Sequence, residues 1–136
     1  MKHVIFVLLM AAILSGCASQ SSLTPAMQAD VANPIFCEGS IDCKTMWKRA
    51  LLFINLNAGY KIVTAKAALI ETGGAWGDNQ SKKLSMRVTK SPRGGLRNQI
   101  KIEAWCQRGI NIDQDCSPKA DETLWRAQLF IREGIE

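Results

Sequence analysis

Histidine is nearly missing from this sequence, which has His3 as its single histidine among 136 residues. Catalytic sites of the Ser-His and Cys-His kinds, and most zinc sites in proteins, need an imidazole. The chain also has no G-x-S-x-G elbow and no G-x-x-x-x-G-K-[ST] phosphate loop. We therefore expect no catalytic residues, and a hydrolase is the least favoured class.

Acidic residues are missing between Asp78 and Glu103, although basic residues are frequent there. The lysines and arginines of this stretch are Lys82, Lys83, Arg87, Lys90, Arg93, Arg97 and Lys101. Such a concentration can contact lipid phosphates, lipopolysaccharide, peptidoglycan carboxylates or an acidic protein. It can equally be the solvated face of a sheet with its loop. The formal net charge of the whole chain is only +5, so we expect no nucleic-acid partner.

Long apolar runs are also missing, except for one close to the N-terminus. Residues 4–13 carry no charge and follow a positive start made by Lys2 and His3. The run is shorter than the about 20 apolar residues that a membrane-spanning helix needs. Polar residues follow it from Ser19 onward. This order is typical of a secretory signal peptide.

The signal ends in Leu14-Ser15-Gly16-Cys17, which resembles the lipobox of bacterial lipoproteins. The resemblance implies that residues 1–16 are cleaved off, that the Cys17 thiol carries a diacylglyceryl group and that the new amine is acylated. Several acyl chains give a durable membrane anchor. In proteobacterial lipoproteins an aspartate after the cysteine signals retention in the inner membrane, whereas Ala18 stands here. We therefore expect a lipid-anchored outer-membrane protein with its domain in the periplasm, and the inner membrane is less favoured.

Cysteine usage agrees with such a compartment. Lipidation of Cys17 leaves Cys37, Cys43, Cys106 and Cys116, and four cysteines in an oxidising space indicate two disulfides. Three pairings are possible. We favour the local one, Cys37 with Cys43 and Cys106 with Cys116, because the first pair closes a small loop with a flexible glycine. A zinc site is not expected, since no C-x-x-C pair is present.

The segment 17–36 is rich in Ser, Gln, Ala and Pro and has little periodic apolar content. We interpret it as a flexible tether of the lipidated N-terminus, with an r.m.s. reach of about 25 Å. Alternatively, residues 27–31 form a short helical turn.

Residues 37–136 are predicted to form one domain with the order helix-strand-strand-strand-helix. Apolar residues at helical spacing, among them Trp47 and Leu51, predict helices at 41–57 and 121–134. Segments that are rich in Val, Ile and Thr, or that alternate, predict strands at 60–72, 82–89 and 98–106, the first with a bulge at 66–68. The turn signal at 91–95 joins the last two strands in a hairpin. This order gives an α+β domain, with two helices on a three-stranded antiparallel sheet.

The strongest candidates for a binding surface lie on the predicted hairpin. Trp105 alternates onto the same outward face as Arg87 and Lys101, and an exposed tryptophan beside arginine often marks an interface. Trp76, in a loop between glycines, is a further candidate. Residues 111–115 have the ligand spacing of a calcium loop, but Cys116 stands where the sharp-turn glycine belongs. We therefore expect neither a metal nor a cofactor.

The start of the domain has a second resemblance. Cys37-Glu38-Gly39-Ser40, with Cys43 and Trp47, is similar to the C-E-G-S-x-x-C segment and tryptophan-bearing helix that open the domains of certain small proteobacterial envelope lipoproteins. This resemblance implies neither an activity nor catalytic residues. We expect a non-enzymatic binding, accessory or assembly module that contacts an envelope protein. The alternative is direct contact of the basic hairpin with peptidoglycan or lipopolysaccharide.

Overall fold

The computed structural model of the chain describes residues 22–74, 82–106 and 116–135. Cys17, Trp76 and residues 111–115 lie outside the described residues. Within them, the elements in chain order are α1 (Pro25–Ala32), β1 (Ile35–Glu38), α2 (Gly39–Asn57), β2 (Ile62–Ala65), β3 (Leu69–Thr72), β4 (Ser85–Pro92), β5 (Arg97–Trp105) and α3 (Ala120–Glu133).

The fold is of the α+β class and is built on a five-stranded antiparallel sheet in the order β1-β5-β4-β3-β2. The prediction of three strands is therefore wrong in number. One additional strand, β1, comes from the end of the segment that we interpreted as a tether. The other arises because residues 60–72 form two short strands and not a single long one.

The break between β2 and β3 lies where the sequence is poor in strand formers. We predicted a bulge at 66–68, but the chain turns back there, and the Lys66 N–H donates to the Leu69 carbonyl at 2.7 Å. A register irregularity does occur, within β2 between Ile62 and Thr64. Two short strands that pair with each other satisfy more backbone groups than one isolated long strand would.

The predicted hairpin is present as β4 and β5, with Val88 opposite Ile102. Its turn has Gly94 and Gly95 at φ of +100° and +55°, backbone conformations that residues with a Cβ rarely adopt. The Arg93 N–H donates to the Arg97 carbonyl at 2.9 Å and closes the turn.

The segment before β1 is folded onto helix α3 from Ser22 onward, where the sequence suggested a flexible tether. Thr24 caps α1 and Pro25 begins it, as helix starts favour. The indole N–H of Trp125 donates to Asp30 at 3.2 Å, and the Gln128 amide donates to the Val31 carbonyl at 3.0 Å. Because α1 itself has no buried residue, polar contacts hold it, and such contacts leave no apolar period in the sequence.

Helices α2 and α3 cover one face of the sheet and enclose the core. The most deeply buried side chains come from both helices and from the inner strands, and include Phe53, Ile54, Ile131, Met86, Val88 and Ile100. The rings of Phe53 and Phe130 join the helices, with centroids 5.8 Å apart. Among the described residues, none of the helices is long and apolar enough to span a membrane.

Two cysteine pairs lie at disulfide distance, and the pairing is the local one that we favoured. Cys37 and Cys43 have their Cα atoms 4.9 Å apart, and Cys106 and Cys116 have theirs 5.5 Å apart. The first pair joins β1 to the start of α2. The second joins the end of β5 to the residues that precede α3, so the two pairs secure opposite ends of the sheet.

Arg49 of α2 completes the C-terminal end of α3. Its guanidinium donates to the carbonyls of Ile131 at 3.2 Å and Arg132 at 2.9 Å, which are among the carbonyls that a helix end leaves without intrahelical donors. Gly134 follows at φ +75°, and its N–H donates to the Phe130 carbonyl at 2.8 Å. Arg49 therefore couples the two core helices.

We expect Arg49→Met to lower the free energy of unfolding by about 1.5–3 kcal/mol, because hydrogen bonds from a charged donor are lost while the apolar stem is kept. Urea unfolding followed by tryptophan fluorescence measures this loss. The matched control is Lys48→Met at the neighbouring, exposed position. Equal losses in the two variants would show that Arg49 does not cap α3.

Candidate functional site

The predicted binding residues lie on the sheet face that points away from α2 and α3. The register places Arg87 opposite Glu103, Lys101 opposite Thr89 and Trp105 opposite Ser85. Trp105 is only 7 % exposed, so the expectation of an exposed tryptophan is wrong. The Arg87 guanidinium lies over its ring, 5.6 Å from the centroid, and this stacking contributes to its burial.

Two basic side chains of this face, Arg87 and Lys101, have acidic partners. Arg87 forms a salt bridge with Glu71 of the neighbouring strand β3, and its Nε donates to that carboxylate at 2.9 Å. Lys101 pairs with Glu103 at 3.1 Å. Part of the positive charge that the sequence concentrates in the hairpin is therefore balanced within the domain, which weakens this face as a binding surface.

A groove opens on the other side of the sheet, between the start of α2 and the turns of two hairpins. It has a volume of about 560 Å³, within the usual range of ligand sites. Its lining is Gly39, Ser40, Cys43, Lys44, Trp47, Ala67, Lys90, Gly95, Leu96 and Asn98. The Lys90 ammonium lies 4.9 Å from the centroid of the Trp47 ring, a cation–π contact that holds both side chains at the groove.

A second groove adjoins the first one along α2. It has a volume of about 420 Å³ and is lined by Lys48, Leu51, Leu52, Asn55, Ile62 and Ala65. Their linings share no residue, but they follow one another along the chain, because Lys48 comes after Trp47 on the helix and Ala65 lies two positions before Ala67 in the β2–β3 hairpin. We call the combined surface the α2 groove. From Gly39 to Asn55 it extends about 24 Å at the rise of an α-helix.

The α2 groove combines exposed apolar side chains with positive charge. Leu51, Leu52 and Leu96 are 38 %, 48 % and 73 % exposed. Cations come from Lys44, Lys48 and Lys90, and the described residues of the two linings include no aspartate or glutamate. Leu96 lines the first groove, and Leu51 and Leu52 line the second, so both parts of the surface expose apolar side chains among polar ones, as interaction sites often do.

The end of the α2 groove at Gly39 and Leu96, which we call its outer end, is held in place by several elements. The disulfide between Cys37 and Cys43 fixes the first turn of α2 to β1, and the Asn98 amide lies 3.7 Å from the Cys43 sulfur. The Gly39 N–H donates to the Leu96 carbonyl at 3.0 Å. A surface whose parts are fixed in advance loses less conformational entropy on binding.

Sequence reasoning missed this site because it assigned Trp47 and Leu51 to the buried stripe of α2. The fully buried positions are Ala50, Phe53 and Ile54, so both residues fall at the margin of the core. One signal was available: α2 has no acidic residue after Asp42 and contains the adjacent leucines 51 and 52. With Ala50, Phe53 and Ile54 they make residues 50–54 a run of five apolar residues, which extends over more than one helical turn and therefore cannot all face one core.

The described part of the chain contains no group of three or more His, Cys, Asp or Glu residues that is placed to hold a metal ion. Comparison of the chain with protein-family models, with curated proteins and with solved structures found no match. Only the geometry and chemistry of its residues therefore indicate what the candidate site binds.

Proposed function

We propose that this protein is a lipid-anchored envelope module without catalytic activity, which binds a polypeptide partner through the α2 groove. The lipobox that ends in Cys17 supports the anchor, and the two cysteine pairs are consistent with an oxidising compartment. The observation that carries the binding role is the groove itself, in which leucines and Trp47 lie near three lysines and the described lining residues include no carboxylate.

The chemistry of the groove specifies an acidic amphipathic segment as its occupant. Leu51, Leu52 and Trp47 offer apolar contact, whereas Lys44, Lys48 and Lys90 complement carboxylates. A groove of about 24 Å accommodates roughly seven residues of extended chain at about 3.3 Å each. Peptidoglycan and lipopolysaccharide are the alternatives for the basic hairpin, and the pairing of Arg87 with Glu71 and of Lys101 with Glu103 reduces the positive charge that they would use.

The N-terminal attachment leaves the outer end of the groove accessible. Ser22 donates from its N–H and its hydroxyl to the Asp121 carboxylate at 3.0 and 2.9 Å, at the start of α3. This point and the turn beside Leu96 are at opposite ends of β4, because the Ser117 N–H donates to the Lys82 carbonyl just before that strand begins. Cys17 lies at most about 18 Å along the chain from Ser22. If the turn beside Leu96 faced the membrane, Ser22 would be about 28 Å, the length of helix α2, away from the membrane surface. The chain between Ser22 and an anchored Cys17 is too short to span that distance.

The test is photo-crosslinking in intact cells, with a photoreactive amino acid at Leu52 in the groove or at Thr89 on the opposite sheet face. We expect one envelope protein to be crosslinked from position 52 and not from 89. Lys44→Glu should reduce that crosslink by about tenfold or more, because it places like charges against the acidic segment.

The matched control is Lys101→Glu, the same change of charge on the opposite sheet face. We expect it to leave the crosslink unchanged. If Lys44→Glu and Lys101→Glu have equal effects, the α2 groove is not the binding site. Sedimentation with purified sacculi or lipopolysaccharide vesicles should show no retention of the protein, and retention that Lys101→Glu abolishes would favour the cell-wall or lipopolysaccharide alternative.

A further inference from the structure

Strand β2 forms one wall of the α2 groove and, among the described residues, is one of the two edge strands of the sheet, the other being β1. It has only four residues, and Val63 within it is 67 % exposed. An edge strand has backbone N–H and C=O groups on its outer side that the sheet does not use, and these groups can pair with an added strand.

The backbone groups that point outward belong to the two β2 residues that line the groove. The Gly73 N–H donates to the Lys61 carbonyl at 3.0 Å, and the Lys66 N–H donates to the Leu69 carbonyl. Lys61 and Lys66 therefore form the hydrogen-bonded pairs with β3. In an antiparallel ladder the adjacent pairs turn their backbone groups away from the partner strand. Those adjacent residues are Ile62, opposite Thr72, and Ala65, opposite Ile70.

The local irregularity of β2 explains why Ile62 and Ala65 share this direction. Outward-facing residues of a regular strand are separated by two positions, whereas these are separated by three. The register shift between Ile62 and Thr64 adds the extra residue. Because of this extra residue, the backbone N–H and C=O groups of Ile62 and of Ala65 both point away from β3, and both residues line the groove.

We infer that the polypeptide partner binds by adding a strand to the edge of β2 that the described residues leave open, with its backbone on Ile62 and Ala65 and its apolar side chains against Leu51 and Leu52 of α2. This inference rests on the proposed binding role of the α2 groove and specifies how that groove binds. Strand addition uses backbone hydrogen bonds for affinity and pockets for alternate side chains for specificity.

The charges around β2 select an acidic strand over a second copy of this chain. Lys61 and Lys66 are exposed and flank β2, and Lys48 faces it from α2. Antiparallel pairing of two β2 strands would bring Lys61 of one copy close to Lys66 of the other, which is unfavourable. Lysines at the edges of natural sheets prevent two such edges from pairing. A strand with glutamates at its ends would instead form two ion pairs, one with Lys61 and one with Lys66.

Ala65→Pro tests the inference because it removes the outward N–H of Ala65, which the β3 pairing does not use, and blocks the edge with the ring. The probe is an eight-residue peptide in which leucine or valine alternates with glutamate, and its binding to the purified protein is measured by fluorescence anisotropy. We expect Ala65→Pro to weaken binding by about tenfold or more, whereas the control Ala65→Ser changes it less than about twofold. A peptide with lysine in place of glutamate should not bind.

Equal binding by Ala65→Pro and Ala65→Ser, or no binding of the glutamate peptide to the wild type, would overturn strand addition. Either result leaves the Lys44→Glu test of the groove as a separate question. If Ala65→Pro does not fold, hydrogen exchange on the wild type replaces it. The amides of Ile62 and Ala65 should exchange more slowly when the peptide is bound, and unchanged exchange rates would also overturn the inference.

Discussion

Phe53→Ala is expected to lower the free energy of unfolding by about 3–5 kcal/mol, the range for removing a buried aromatic side chain. Phe53 is 0 % exposed and contacts Phe130 of α3. Its removal leaves a cavity between the two helices, which α3 cannot close while Arg49 holds its C-terminal end. Single domains have a total stability of about 5–15 kcal/mol, so the variant loses a substantial fraction of it.

Urea unfolding of the Cys17→Ser variant, which cannot be lipidated, measures this effect with and without the second substitution. Leu56→Ala is the control, because Leu56 lies one turn further along the same helix and is 62 % exposed. We expect its loss to stay below about 1 kcal/mol. Equal losses at the two positions would contradict the position of Phe53 in the core.

The regular elements that the sequence predicted well are those with a strong local signal. The β4–β5 hairpin combines alternating apolar residues with a turn that needs two glycines, and α2 and α3 have apolar residues at helical spacing. Gly94 and Gly95 fix the turn because their φ values are positive. These signals lie within a few residues of one another, so no knowledge of the tertiary structure is needed to detect them.

The elements that the sequence predicted only as an alternative, as the helical turn at 27–31 within α1, or not at all, as β1, depend on distant partners. Helix α1 is held by Trp125 and Gln128 of α3, and Ser22 before it is held by Asp121, each about a hundred positions away in the chain. Strand β1 has four residues and becomes a strand by pairing with β5. Their local composition resembles a linker, and only the tertiary contacts distinguish them from one.

The candidate binding surface lies on the sheet face opposite to the predicted one, and the reason is again a contact between residues that are distant in the chain. Alternation correctly placed Arg87 and Trp105 on one strand face, but it could not reveal Glu71, because the existence of β3 as a separate strand was not predicted. The cross-strand ion pair balances Arg87. The lysines of the α2 groove are Lys44 and Lys48 of helix α2 and Lys90 of β4, whose side chain lies on the groove side of the sheet.

The second large effect on stability is expected from removal of a disulfide. Replacing either cysteine pair with alanines should lower the free energy of unfolding by about 2–4 kcal/mol, because the unfolded chain gains the freedom of an open loop. The sequence separations are 6 for Cys37 and Cys43 and 10 for Cys106 and Cys116. Loop entropy makes the second pair more stabilising by only about 0.4 kcal/mol, so the two variants should have similar stability.

Binding should distinguish the two variants where stability does not. Cys43 lines the α2 groove and fixes its outer end, whereas Cys106 follows β5 at the end of the sheet that lies away from the groove. We expect the crosslink from position 52 to fall severalfold in the Cys37→Ala/Cys43→Ala variant, because the start of α2 is no longer held against β1. Under conditions where both variants are folded, the Cys106→Ala/Cys116→Ala variant should crosslink like the wild type. Equal crosslinking by the two variants would show that the groove does not need a fixed outer end, and the binding role of Trp47 and Lys90 would then lose its main structural support.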